Sequence, residues 1–128
     1  MGYESKLYVV RKSNGYSEPD DNGYYSELIA TFYMCGIDTS ILLAIEKYND
    51  TDCYFYEGNG DSCRMIKKDC YGKPLKEIPL KDMIRMIEDT EDASDYRRYP
   101  PCLAMLRSFN EYNKSQWYNE LVVLHYGY

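Results

Sequence analysis

Histidine and tryptophan occur once each in this 128-residue chain, and phenylalanine three times. With one histidine, a Ser–His or Cys–His nucleophilic pair has a single candidate base, His125. Its neighbours in LVVLHYGY are apolar, which suits a histidine lining a sheet better than one serving a reaction. The chain has no GxSxG turn, no GxGxxG and no GK[ST] ending, and EGNGD (Glu57–Asp61) supplies glycines without either phosphate-binding pattern. No CxxC occurs among the five cysteines, Cys35, Cys53, Cys63, Cys70 and Cys102, and Cys63 and Cys70 are too far apart for a paired zinc knuckle. An odd count with no signal peptide argues against a secreted disulfide framework and for reduced, mostly buried thiols in a cytoplasm. No apolar run nears the roughly 20 residues of a membrane span. The acidic stretches PDDNGYYSE and EDTEDASD miss the alternating ligands, central glycine and terminal glutamate of a calcium loop. No carboxylate pair is singled out by spacing. The expectation is a non-enzyme without cofactor or metal.

Tyrosine stands out against these scarcities, with sixteen residues. A tyrosine ring is apolar with a polar tip, so it borders a small core or forms a contact surface. The formal net charge of -6 weighs against a basic groove for nucleic acid. It suits solubility, a basic protein partner, or mimicry of nucleic acid toward a nucleic-acid-binding protein.

Patterning predicts one α+β domain over residues 1–128, with order β-β-α-β-β-α-α-β. About five mostly antiparallel strands carry three helices on one face. KLYVVRK (Lys6–Lys12) reads as a strand and Ser13–Gly23 as a polar loop. Glu27–Gly36 is ambiguous between strand and helix; Ile29, Thr31, Phe32 and Tyr33 favour strand. Asp38–Tyr48 reads as a capped helix with Ile41, Ala44, Ile45 and Tyr48 on one stripe. Cys53–Ile66 reads as a hairpin with Cys53, Phe55, Cys63 and Met65 sharing a face, and Asp69–Pro79 as an irregular connector. Leu80–Asp89 carries the helical spacing Leu80, Met83, Ile84, Ile87. A further helix opens at Pro100–Pro101, and Leu121–Tyr128, apolar at both alternations, reads as a strand buried on both faces.

The run EDTEDASDYRRYPPC (Glu88–Cys102) is the candidate site. Carboxylates at a helix C-terminus oppose the macrodipole, so the helix stops near Asp89. Beyond it, Tyr96, Arg97, Arg98 and Tyr99 combine guanidinium forks with aromatic faces, with Glu88, Asp89, Glu91 and Asp92 as an acidic rim. That mix reads first as an interhelical loop that pairs with itself and, as the functional alternative, as an exposed contact patch.

MGYESKLYVV, DCYGKPLKEIPL, YRRYPPCLAML and LVVLHYGY together resemble small bacteriophage- and prophage-encoded proteins with no assigned activity. The resemblance spans most of the chain and carries no catalytic motif. It implies a bacterial host cytoplasm and a phage-related role. Small size and acidity add an analogy to inhibitors of host defence such as anti-CRISPR proteins. The expected partner is then a protein, in one version a basic nucleic-acid-binding host protein. Direct nucleic-acid binding and membrane association are not expected, and homo-oligomerisation is open. Two other readings remain. One is a small-molecule or nucleotide-signal binder, with a tyrosine-lined pocket into which Arg97 and Arg98 point. The other is a phage structural or assembly protein.

Overall fold

The segments with the strongest extended character, KLYVVRK and LVVLHYGY, become neighbouring strands in a computed structural model, which describes residues 4–13, 19–90, 98–114 and 119–128. They form β1 (Ser5–Ser13) and β6 (Asn119–Gly127), paired antiparallel from Ser5 with Gly127 to Ser13 with Asn119. The other strands are β2 (Tyr24–Cys35), β3 (Cys53–Glu57), β4 (Arg64–Ile66) and β5 (Lys76–Pro79). The helices are α1 (Thr39–Ile45), α2 (Leu80–Glu88) and α3 (Tyr99–Lys114). The sheet order is β4-β3-β2-β1-β6-β5. This is an α+β fold with the expected three helices and a mixed sheet: β2 and β3 are parallel through Tyr24 with Cys53 and Tyr25 with Tyr54, while the other pairs are antiparallel.

Both faces of β1 and β6 are covered, which is why neither strand alternates. Leu7, Val9, Leu121 and Val123 face the helices and pack with Ile78, Met83, Ile87, Cys102 and Leu106. Tyr8, Val10, Val122, Leu124 and Tyr126 face the other way and pack with Phe55, Ile66 and Leu75. The β3–β4 hairpin therefore folds over the face that the helices leave open. A bulge explains the ambiguous text of β2. Val9 pairs with Ala30 and Val10 with Leu28, so Ile29 is an extra residue. The bulge lets the consecutive Ile29 and Ala30 both pack on the helix side while Leu28 packs on the other.

Local chemistry fixes the helices. Asp38 caps α1 by accepting from the Ser40 N–H at 2.8 Å. Helix α2 starts after Pro79, buries Leu80, Met83, Ile84 and Ile87, and ends on Asp89, as the charge pattern requires.

Two expectations are corrected. In the hairpin Phe55 pairs with Ile66 and Tyr56 with Met65, so Met65 joins the exposed face with Tyr56, and Cys63 is exposed as well. The turn sets this register: Gly58, at φ 109°, leads into a short 3-10 turn at Gly60–Ser62. The connector Asp69–Pro79 contains β5. Gly72 and Pro74 precede the strand and Pro79 closes it where α2 begins, so none of them interrupts the run Lys76–Ile78. At the β2–β3 junction, Gly23 (φ 111°) runs against Asp52, whose carbonyl oxygen would lie 2.2 Å from any Cβ there.

Candidate functional site

The acidic run does not come together as one surface in the described residues. Glu91, Asp92, Tyr96 and Arg97 lie outside them. Glu88 is exposed and pairs with Arg107 of α3 at 2.8 Å, so it links two helices. Asp89 is exposed and caps α2. The Arg98 Nη1 donates to the Tyr33 carbonyl at 2.9 Å. Tyr99 is 2% exposed, a correction to its expected place on a contact patch. It shares the inner stripe of α3 with Cys102, Leu103 and Leu106, and its hydroxyl accepts from the Asp38 N–H at 3.0 Å.

Tyrosine instead gathers on the hairpin side of the sheet. Parallel pairing of β2 with β3 brings Tyr25 beside Tyr54, and Tyr56 follows two residues on. The three rings touch, with centroids 5.8 Å (Tyr25–Tyr54), 6.1 Å (Tyr25–Tyr56) and 5.9 Å (Tyr54–Tyr56). Tyr54 is the buried base, and its hydroxyl donates to the Asp20 carboxylate. That hydrogen bond pushes the phenol up to about 12 and holds the Asp20 carboxyl below its ordinary range. Tyr25 (49%), Tyr56 (46%) and Met65 (39%) are open to solvent. YY in β2 and YFY in β3 carry this cluster, but only the strand pairing shows that they meet.

A second aromatic group surrounds Lys6. Its ammonium lies 4.7 Å from the Tyr126 ring centroid, 5.0 Å from Tyr8, 5.2 Å from Tyr33 and 5.6 Å from Tyr128. Cross-strand pairing builds this cage, since Lys6 sits opposite Tyr33 on one side and Tyr126 on the other. The Glu57 carboxylate stands 4.0 Å from Lys6 and 3.3 Å from Arg64. Burial lowers the Lys6 pKa despite the opposing pull of Glu57, so desolvation outweighs the attraction. Burial, with Glu57 nearby, pushes the Tyr8 phenol far up.

His125 sits where the aliphatic layer under the helices ends. Its Nε2 is 2.8 Å from the Ser5 Oγ. Burial lowers its pKa to about 4, so the imidazole is neutral at physiological pH. Ser5 is fully buried and cannot meet a substrate, so the pair acts as a structural hydrogen bond. Asp52, Cys53 and Glu77 bring potential metal-ligand atoms within 4.8 Å of one another. Glu77 is already engaged, by Lys12 at 3.0 Å and the Thr51 hydroxyl at 2.8 Å, and burial raises the Cys53 thiol pKa. A metal there would have to break an ion pair and take up a thiol whose deprotonation burial disfavours.

A cavity of about 450 Å³ lies between α1, the Asp69–Pro74 loop and the ends of β5 and β6. Among the described residues neither tyrosine nor arginine lines it, unlike the tyrosine- and arginine-lined pocket expected of a nucleotide-signal binder. Among the described residues no helix is long and apolar enough to cross a membrane. Comparison with protein-family models, curated proteins and solved structures gives no match.

Proposed function

We propose that this protein works by binding another protein through the tyrosine-bearing face of β2, β3 and β4. The observation behind this reading is the Tyr25–Tyr54–Tyr56 cluster, two of whose rings are half open to solvent beside an exposed Met65. Tyrosine and methionine on the surface of paired strands are residues that anchor interfaces. Tyrosine offers large contact area at low entropic cost, and methionine adapts its shape to a partner.

The phage resemblance and the net charge of -6 make the reading more specific. The partner is a basic, nucleic-acid-binding host protein, and the outcome of binding is inhibition of a host defence system. In this version the tyrosines supply contact energy and the acidic surface supplies steering. The test is affinity capture from a bacterial host lysate with three baits: wild type, Tyr25→Ser with Tyr56→Ser, and a variant with Glu88, Asp89, Glu91 and Asp92 made neutral. A basic nucleic-acid-binding protein should be captured by wild type and lost with the tyrosine variant. The neutralised variant should capture it more weakly and with less sensitivity to salt. Capture that survives removal of both tyrosines overturns the assignment of the surface.

A further inference from the structure

The cavity beside His125 is separate from the tyrosine surface, and its chemistry points elsewhere. Its apolar lining comes from Leu42 and Ile45 of α1 and from Pro74. The floor is polar and rigid because it is built on strands: Lys76 of β5 and His125 of β6 are cross-strand partners. A rigid concavity with an apolar wall and a few convergent polar groups is the usual form of a small-molecule site, and this volume falls in the usual range.

The charges select the ligand. Lys76 is held by Asp50 at 2.9 Å, and the two cancel. The Asp69 Oδ1 accepts from the Tyr71 N–H at 2.8 Å and the Lys73 N–H at 3.0 Å, which fixes the carboxylate in place. The imidazole, neutral for the reason given above, adds no charge. Among the described lining residues, Glu46 and Asp69 then stand against Lys73, which leaves one net negative charge. A polyphosphate would face carboxylates without enough cations to balance it. A single ammonium on an apolar body matches both the charge and the wall.

We propose that this cavity binds a small organic monocation, a primary amine whose apolar portion lies on Leu42 and Ile45 and whose ammonium faces Glu46 and Asp69.

The test is a nitrogen–proton correlation NMR titration of the whole chain with phenethylamine, 2-phenylethanol and 3-phenylpropionate, probes of similar size and different charge. Phenethylamine should saturate with a Kd of about 1 mM, moving the amides of Ile45, Lys73 and His125. The alcohol should bind about threefold to fivefold more weakly and the carboxylate more weakly still. Leu42→Trp should fill the cavity and abolish the shifts, with circular dichroism reporting whether it folds. Glu46→Gln, at an exposed position, should weaken amine binding about threefold whatever the fate of the tryptophan variant. Absence of saturable shifts up to about 10 mM amine overturns the site, as do shifts confined to the tyrosine cluster. Equal binding of the carboxylate or the alcohol overturns the charge assignment.

Discussion

On the helix side of β1 and β6 the strands present Leu7, Val9, Leu121 and Val123; on the hairpin side they present Tyr8, Val10, Leu124 and Tyr126, with Lys6 among the rings. The difference follows from what covers each face. Two amphipathic helices, α2 and α3, can seal an aliphatic layer completely. The hairpin is five residues against three and cannot. A side chain at the border of a cover that small needs a buried body and a wet tip, and tyrosine and lysine both provide this. Tyr8, Tyr33, Tyr126 and Tyr128 thus gather round Lys6 on the thinly covered face, while Tyr25 and Tyr56 of the proposed binding surface are exposed on the outer side of the cover itself.

Breaking the continuity of the sheet gives the largest effect. Deleting Val122–Tyr128 removes a strand paired with both β1 and β5, and no cooperative unfolding transition should remain. A folded truncation, seen by circular dichroism, would mean that the two faces are not built on a shared frame. On the helix side, Leu106→Ala should cost about 2 to 5 kcal/mol in urea denaturation, because a sealed aliphatic layer cannot collapse around the lost atoms.

The border between the layers should respond to pH. The folded pKa of His125 lies at about 4, below its ordinary 6.5. The unfolded chain then binds the extra proton between these values. His125 stabilises fully above about pH 6.5, and that contribution, on the order of 3 kcal/mol, is lost as pH falls toward 4. His125→Gln should flatten the stability profile across that window; an unchanged slope would assign it to other groups.

The smallest effect belongs to the hairpin side. Burial lowers the Lys6 pKa, so the cage does not fully compensate the desolvated charge. Lys6→Met should leave stability within about 1 kcal/mol of wild type, or raise it. A loss as large as that of Leu106→Ala would show that the caged ammonium holds the hairpin in place.

Much of the fold is legible in the sequence because its local signals agree with one another. The α2 stripe, the stop at Asp89 and the double-faced β6 each have one physical reading, while the α1 cap could fall on Asp38, Thr39 or Ser40 and the structure uses Asp38. The bulge at Ile29 hides the alternation of β2, although its β-branched and aromatic residues still decide for strand. Strand β5 is hard to read because it is short: Gly72 and Pro74 break the chain just before it, and Pro79 closes it at the start of α2. The face of Met65 depended on a turn register that residue types alone do not set. The candidate site was less legible. Tyr99 looked like a contact residue because its neighbours are charged, but the helix it begins turns it inward. The three-ring cluster needs a parallel pairing between segments nearly thirty residues apart, and the cavity draws on segments from Leu42 to His125. Linear spacing carries neither.

The junction of β2 with β3 has a further consequence. Only two residue pairs form it, against eight between β1 and β2 and nine between β1 and β6. The hairpin is held mainly by side chains, with Phe55 set edge-on to Tyr8 at 4.7 Å. Amide protons of β3 and β4 should therefore exchange with solvent through partial opening, well before those of β1 and β6, which wait for global unfolding. A molecule that grips the tyrosine cluster would slow that local exchange and leave the slow protons of the central strands unchanged.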